Sequence, residues 1–441
     1  MTFFSKQKCM ITVMAIFILP YANAQQTPNP FPPLENPDRI VLNVTEDPST
    51  SVAITWRTST AVTKGIVEIM PVSADPADIV KANKHEAVSS PFQHNDISAY
   101  YHSIVIKNLM PATKYMYRVG YDKYWSEWFH IKTAGKPGDK ISFIYMGDVQ
   151  VGMKTLWPRV VRQAFGKMPE ANAIMYAGDI VNRGDNDDEW GELFYGGSFI
   201  HAMIPGIPSP GNHEYSKTKD GNLSALWRPQ FTLPENGPAT EKLKETVYFT
   251  DIQGMRFISL NSNEAEEVPE DLISQKLWLD SVLKHNPNKW TCIIFHHPVY
   301  SVSKSRDNPW LRDNFKPLFD KYKVDLILQG HDHAYARGMK KIPYENGPEF
   351  SGTMYVISVA GSKMYEENKK DWMDKNGGHT QLYQLITVDG DVLSYKCYTA
   401  TGALYDSFEL IKRKGRRNKL VENEPGVAAI WQNHLTNIKD Y

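Results

Sequence analysis

The sequence predicts an all-β sandwich followed by a layered α/β domain, and three observations predict it. Between residues 39 and 133 apolar residues alternate in short runs: Val52, Ile54 and Trp56, then Val67 and Ile69, Ile104 and Ile106, and Tyr115, Tyr117 and Val119. That is the period of half-buried strands, broken by Pro, Gly and Asn turns. From residue 141 onwards strand-like apolar runs alternate with stretches of helical spacing, the order that lays helices on the faces of central sheets. The 441 residues also exceed one ordinary core, so two domains are expected.

Taken in order, residues 1–24 read as a secretory signal peptide. Lys6 and Lys8 precede an apolar run that Pro20 interrupts, and Ala22-Asn23-Ala24 supplies a small-x-small cleavage pattern. A membrane anchor needs about 20 apolar residues, which this run does not reach. Export, to the periplasm or beyond, is the expectation, with no membrane segment left after cleavage. Residues 25–37, rich in Pro, Asn and Gln, read as a linker.

Residues 38–134 carry the sandwich. Within them Leu109-x-Pro111-x-Thr113-x-Tyr115 resembles the tyrosine corner of fibronectin type III domains, an ordinary hairpin with a buried Tyr being the alternative. Gly135-Lys136-Pro137-Gly138 marks the boundary. In the second domain, 139–412, strands are expected at 141–146, 173–177, 247–249, 257–260, 291–295 and 324–328. Helices are expected at 156–165, 188–201, 272–283 and 311–322, and strands return at 355–359, 382–388, 392–398 and 403–411. Residues 413–441 form a basic tail, read as solvated surface. Cys9 leaves with the leader, so Cys292 and Cys397, both in strand-like runs, are expected as buried free thiols. A formal net charge of -1 gives no electrostatic reason to expect nucleic acid.

The residues that carry chemistry fall at strand ends. Five times an apolar strand, or a Pro-rich extended approach to a turn, runs into potential metal ligands. These are Met146-Gly147-Asp148, Ala177-Gly178-Asp179, Pro210-Gly211-Asn212-His213-Glu214, Phe295-His296-His297 and Gln329-Gly330-His331-Asp332-His333. Ligands of α/β sheets gather in the crevice beyond the carboxyl ends of strands, so five such loops can converge. Carboxylate, carboxamide and imidazole together suit iron, zinc or manganese better than calcium, which prefers oxygen alone. Each motif by itself is weak, an isolated Gly-Asp turn being ordinarily structural. Their joint occurrence in this order carries the expectation.

The pattern resembles the calcineurin-like metallophosphoesterases, whose blocks run Asp-x-His, Gly-Asp, Gly-Asn-His-Glu/Asp, His and Gly-His-x-His. Within that superfamily it is most similar to the purple acid phosphatases, which add an N-terminal fibronectin-like domain and a Gly-His-x-His-Ala-Tyr-Glu-Arg segment. Here that segment is Gly330-His331-Asp332-His333-Ala334-Tyr335-Ala336-Arg337. The resemblance implies a four-layer catalytic sandwich, two central mixed sheets flanked by helices. It further implies two divalent or mixed-valence transition metal ions, Fe, Zn or Mn. One would be held by Asp148, Asp179 and His333 and the other by Asp179, Asn212, His296 and His331, with Asp179 bridging. A bridging hydroxide would then attack the phosphorus of a small-molecule phosphate ester in line, without a covalent intermediate. His213 is implied to stabilise the transition state or protonate the departing oxygen, with Asn212 beside it on the phosphate; a plain hydrogen-bonding role is the alternative. Glu214 would orient His213 or its neighbours, and His297 would either face phosphate or sit buried behind the ligands.

Three positions set this chain apart. Where purple acid phosphatases place the iron-ligating Tyr of Gly-Asp-x-x-Tyr, it has Asn182, so no colour is expected and a divalent pair is favoured. Where other members use the His of Asp-x-His, it has Gln150, whose carbonyl is expected to ligate directly or through water. Gly178-Asp179-Ile180-Val181-Asn182-Arg183-Gly184 looks like the Gly-Asp-x-Val-Asp-Arg-Gly of serine/threonine protein phosphatases, which makes Arg183 a phosphate-binding candidate, a surface salt bridge being the alternative. The expected activity is that of an exported phosphomonoesterase. A phosphodiesterase or nucleotide pyrophosphatase on the same site is the second reading and a non-catalytic binding protein the third; oligomeric state is left open.

Overall fold

The computed structural model describes residues 29–216, 221–339, 352–414 and 416–423. The expected leader and the far end of the basic tail lie outside the described residues. Five strands lead into the site: β1 (Ile141–Met146), β2 (Ala173–Ala177), β3 (Gly206–Ser209), β4 (Trp290–Ile294) and β5 (Leu326–Gln329). The first three run parallel in one sheet, continued by antiparallel Leu382–Asp389, Val392–Thr399 and Leu404–Ile411. The last two run parallel in a second sheet, between Met255–Ser259 and Met354–Ile357. Strands covered on both faces are nearly continuous apolar runs, and every residue of β2, β4 and β5 is buried, Thr291 and Gln329 included.

Alternation along the second sheet shows how the layers stack. Cys292, Ile294, Leu326 and Leu328 belong to the core shared with the first sheet, where Phe143 meets Phe257 edge-on at 5.0 Å between ring centroids. Ile293 and Ile327 turn the other way, onto Leu279, Leu283 and Phe319 of helices Pro269–Lys284 and Lys316–Tyr322. Helix Trp157–Lys167 buries Trp157, Val160, Val161 and Ala164 on the first sheet. Two mixed sheets thus lie between helical layers, as expected. Where one helix was expected at 311–322 there are two, Pro309–Asn314 and Lys316–Tyr322, parted at the buried Phe315.

The N-terminal sandwich closes Ile54, Trp56, Val67, Ile69, Tyr117 and Val119 into a core of its own. Its tyrosine corner is present: the Met110 amide donates to the Tyr115 hydroxyl at 2.8 Å. One of its sheets does not end at its edge. Asp38–Asn43 pairs in parallel with β3 through Asn43 and Gly206, which fuses the sandwich sheet to the catalytic one in a single array of eleven strands. A buried ion network clamps the same junction, with Arg39 and Arg57 both on Asp187, and Arg57 also on Asp38.

Two further expectations need correction. The segment read as a linker is docked from its first described residues: the Phe31 carbonyl accepts from Arg57 and the Leu34 carbonyl from the Ser59 amide, while the Phe31 ring lies against Tyr195. A Pro- and Asn-rich segment cannot build a core of its own, but it can lie on one already made. The start of the basic tail is likewise structured, because Lys419–Glu422 is a strand on Leu404–Ile411 and the buried guanidinium of Arg337 pairs with both Asp406 and Glu422. Both remaining cysteines are buried free thiols.

Candidate metal centre

The five strand ends converge. Two groups of ligand atoms lie together, Asp179 with His296 and His331, and Asp148 with Asp179 and His333, so that Asp179 belongs to both. In the first group His296 Nε2 is 3.3 Å from Asp179 Oδ1, 3.1 Å from Asn212 Oδ1 and 3.0 Å from His331 Nδ1, and Asn212 Oδ1 is 3.1 Å from His331 Nδ1. In the second, His333 Nε2 is 3.7 Å from Asp148 Oδ1. Backbone carbonyls fix which imidazole nitrogen faces inwards. His296 Nδ1 donates to the Ala177 carbonyl and His333 Nδ1 to that of Lys363, both at 2.8 Å, leaving each Nε2 for the site.

The loops reach this geometry through backbone that most residues avoid. Asp148, Asp179, His331 and His333 all have positive φ, 26°, 48°, 73° and 48°. Gly178, at φ 76°, opens one turn, and a Cβ on Gly211 would sit 2.3 Å from Asp179 Oδ1, so only glycine lets these two loops touch. Glu214 holds them in place. Its buried carboxylate accepts from the amides of Asp179, Ile180, Val181 and Gly211, at 2.9, 2.8, 3.1 and 2.7 Å. The sequence suggested that Glu214 orients His213 or its neighbours; it is the neighbours' backbone that it grips.

The electrostatics ask for a cation. Burial drives the Asp148 carboxyl well above its ordinary pKa, with the charge of His296 opposing and that of Asp179 adding. Burial lowers His296, but Asp179 and Asp148 outweigh it and push the imidazole up to about 9. Asp148 Oδ2 has no hydrogen-bond partner although buried, and an oxygen left orphaned beside a carboxylate and an imidazole fits a metal ligand. The donor set as a whole fits borderline transition ions.

The remaining candidates are placed as follows. His213 donates its amide to Asp179 Oδ1 and engages the Asn182 carbonyl through Nδ1, so that Nε2 points to the site, 3.9 Å from Asp179 Oδ2, on a side chain 20% exposed. His297 is buried, hydrogen-bonded to Ser262 and packed on the His331 ring at 4.4 Å, with its pKa driven down to about 3 by burial and the charge of His296; it backs a ligand. Arg183 is the surface pair weighed as its alternative, because Glu189 captures its Nε together with the amides of Asn182 and Arg183. Gln150 is buried within the second group, but its amide nitrogen, not its carbonyl, faces Asp179 Oδ2 at 2.6 Å and His333 Nε2 at 3.2 Å. The expected carbonyl ligand is thus turned away.

Residues outside every motif complete the rim. Lys363 reaches Gln150 Oε1 at 3.5 Å, the Tyr365 ring packs at a tilt against His333 with centroids 4.5 Å apart, and Arg306 donates to the His331 carbonyl at 2.7 Å. A signal for Lys363 existed, since the strand expected at 355–359 runs into Gly361-Ser362-Lys363, the same strand-then-glycine form as the ligand loops.

Two adjoining groups of ligand atoms at the strand ends of a layered α/β domain share one carboxylate, an arrangement that could hold a pair of metal ions. Residues 37–133 match the model of the purple acid phosphatase N-terminal domain and residues 141–335 that of calcineurin-like phosphoesterases. The chain thus joins a domain similar to the purple acid phosphatase N-terminal domain to a calcineurin-like phosphoesterase domain. It is 26% identical over 265 residues to purple acid phosphatase 1 of Ipomoea batatas, an overlap of 55% of this chain and 53% of that one. To acid phosphatase type 7 of Homo sapiens it is 25% identical over 377 residues, 76% of this chain and 80% of the other. The chain thus spans about half the length of the first relative and most of the second. Two relatives in Arabidopsis thaliana are named probable inactive purple acid phosphatases. The structure of a purple acid phosphatase from yellow lupin seeds shares the fold, with TM-score 0.69 and 19% identity over 86% of this chain and 75% of that one.

Proposed function

We propose that this protein is an exported, metal-dependent phosphomonoesterase acting on small or polymeric phosphate esters. The observation that carries the reading is the sharing of Asp179 between two ligand groups, each also holding an imidazole. Asp148, Asp179 and His333 would hold one Fe, Zn or Mn ion, and Asp179, Asn212, His296 and His331 the other. Bound there, the pair would supply an acidified water and a sink for phosphoryl charge. The chain's own residues do the rest. His213, its Nδ1 engaged by the Asn182 carbonyl, can offer only Nε2, so a protonated ring presents an N–H to a phosphoryl oxygen or to the departing alkoxide. Asp179 fixes that ring through the His213 amide and is itself held by Glu214. His297 keeps the His331 imidazole from turning. Arg183 is assigned no part in this scheme. Localisation outside the cytoplasm rests on the leader pattern at residues 1–24; no helix among the described residues is long and apolar enough to cross a membrane.

The test is turnover of a phosphate-ester panel after reconstitution with Fe, Zn, Mn or Mg, with Asp179→Asn as control. The reading expects that variant to stay folded and lose nearly all activity, and full activity in it would end the reading. Comparing an aryl phosphate with its bis-aryl diester separates monoester from diester preference.

A further inference from the structure

The structure assigns Lys363 a task that no motif residue performs: it locks the Gln150 amide with its N–H end towards the metal centre, so that the Asp148–Asp179–His333 site binds its ion far more weakly than the Asp179–Asn212–His296–His331 site. This rests on the paired-site reading above and concerns how the two sites differ. A primary amide can present either end, and its neighbours decide which. On one side of Gln150 is Asp179 Oδ2 at 2.6 Å, a carboxylate oxygen that can only accept. On the other is Lys363 Nζ, 3.5 Å from Oε1, an ammonium that can only donate. With the amide as it stands, both neighbours meet the end they need. The opposite flip would aim the carbonyl at the centre, as a ligand must, and bring the amide N–H against the ammonium.

Lys363 is held where it can do this. Its own backbone carbonyl accepts from His333 Nδ1, and its Nζ lies 5.6 Å from the centre of the Tyr365 ring that packs against His333. Among the described residues no carboxylate pairs with Nζ, so no anion neutralises it directly beside Gln150. At the other site Asn212 turns its carbonyl oxygen inwards, to His296 Nε2 and His331 Nδ1 at 3.1 Å each. Two amide side chains thus face the two sites by opposite ends. Asn212 supplies a donor atom to the metal and Gln150 withholds one.

The test is equilibrium dialysis of the purified full chain against Zn²⁺, read as bound metal per chain, with no turnover involved. The wild type is expected to hold one equivalent tightly and a second about 10- to 100-fold more weakly, the span typical of changes behind metal ligands. Asp148→Asn should remove the weak equivalent and leave the tight one. Lys363→Met, which keeps the stem and removes the charge, and Gln150→His, which supplies a lone pair, should each tighten the weak equivalent towards the other. Two equivalents of equal affinity in the wild type would overturn the inference, as would Lys363→Met and Gln150→His both leaving the weak equivalent unchanged. Failure of the wild type to hold any Zn²⁺ would instead overturn the paired-site reading itself, and this inference with it.

Discussion

Replacing Glu214 by Gln exchanges one carboxylate oxygen for an amide nitrogen at the frame of the centre, and the structure gives the cost. Oε1 accepts from the amides of Ile180 and Val181, and Oε2 from those of Asp179 and Gly211. Whichever way the glutamine amide turns, its NH₂ group faces two buried backbone donors and can accept from neither. Two buried donors without partners, at about 1–3 kcal/mol each, predict a loss of about 2–6 kcal/mol. The loss should be larger than for a surface change and should fall on the 178–184 and 210–214 loops. Equilibrium urea unfolding measures the first, and amide hydrogen exchange at Asp179 to Val181 the second. A Glu214→Gln protein within about 0.5 kcal/mol of the wild type, the range of surface substitutions, would refute the reasoning. So would a loss of stability with unchanged protection of those three amides.

His213→Ala should lower turnover by about 10²–10⁴-fold while metal content, measured on the same protein, is retained. Asp187→Asn breaks a buried network in which Asp187 Oδ1 meets Arg39 at 2.6 Å and Oδ2 meets Arg57 at 3.1 Å, and should cost about 3–5 kcal/mol by urea unfolding. His201, buried among aromatic rings with Nε2 on the Tyr176 hydroxyl, has its pKa driven down to about 4 by burial. The unfolded chain then takes up the proton first as pH falls. Stability owed to His201 is complete above about pH 6.5 and is lost towards pH 4, a total of about 3 kcal/mol. His201→Gln should flatten the fall in unfolding midpoint between pH 7 and pH 4.5; an identical fall in both proteins would contradict this.

The layered α/β fold was legible because its strands are buried on both faces, so that segments such as 173–177 and 291–295 are almost wholly apolar and stand out from the helical periods between them. The candidate ligands were legible for a similar reason: metal chemistry asks for particular side chains, and each of these follows a strand. What escaped depended on partners distant in sequence. Lys419–Glu422 reads as a basic, solvated run until Arg337, some 80 residues earlier, requires Glu422 for its buried charge. Asp38–Asn43 reads as an ordinary sandwich strand, and nothing local says that its outer edge will pair with Gly206. Arg183 matched a phosphate-gripping pattern, but the pattern does not include Glu189, which closes on it from the first turn of the following helix.

The same limit explains why ligand identity was easier to read than ligand geometry. Four of the ligands sit at positive φ, which costs a non-glycine residue about 1–2 kcal/mol apiece. Nothing in Asp148 or His333 as residue types asks for that conformation. The loops hold each other in it: the His331 amide donates to Asp148 Oδ1, the His213 amide to Asp179 Oδ1, and the Gln150 amide to the Asp179 carbonyl, at 2.9, 3.0 and 2.9 Å. Asp148 and Asp179 thus each tie one carboxylate oxygen to the backbone of a neighbouring loop. A change that frees one of these amides shifts a candidate ligand on a different loop, so the five strand ends answer to substitution as a unit, and the stability loss of a Glu214/Gly211 double variant should depart from the sum of the two single losses by more than about 0.5 kcal/mol in urea unfolding.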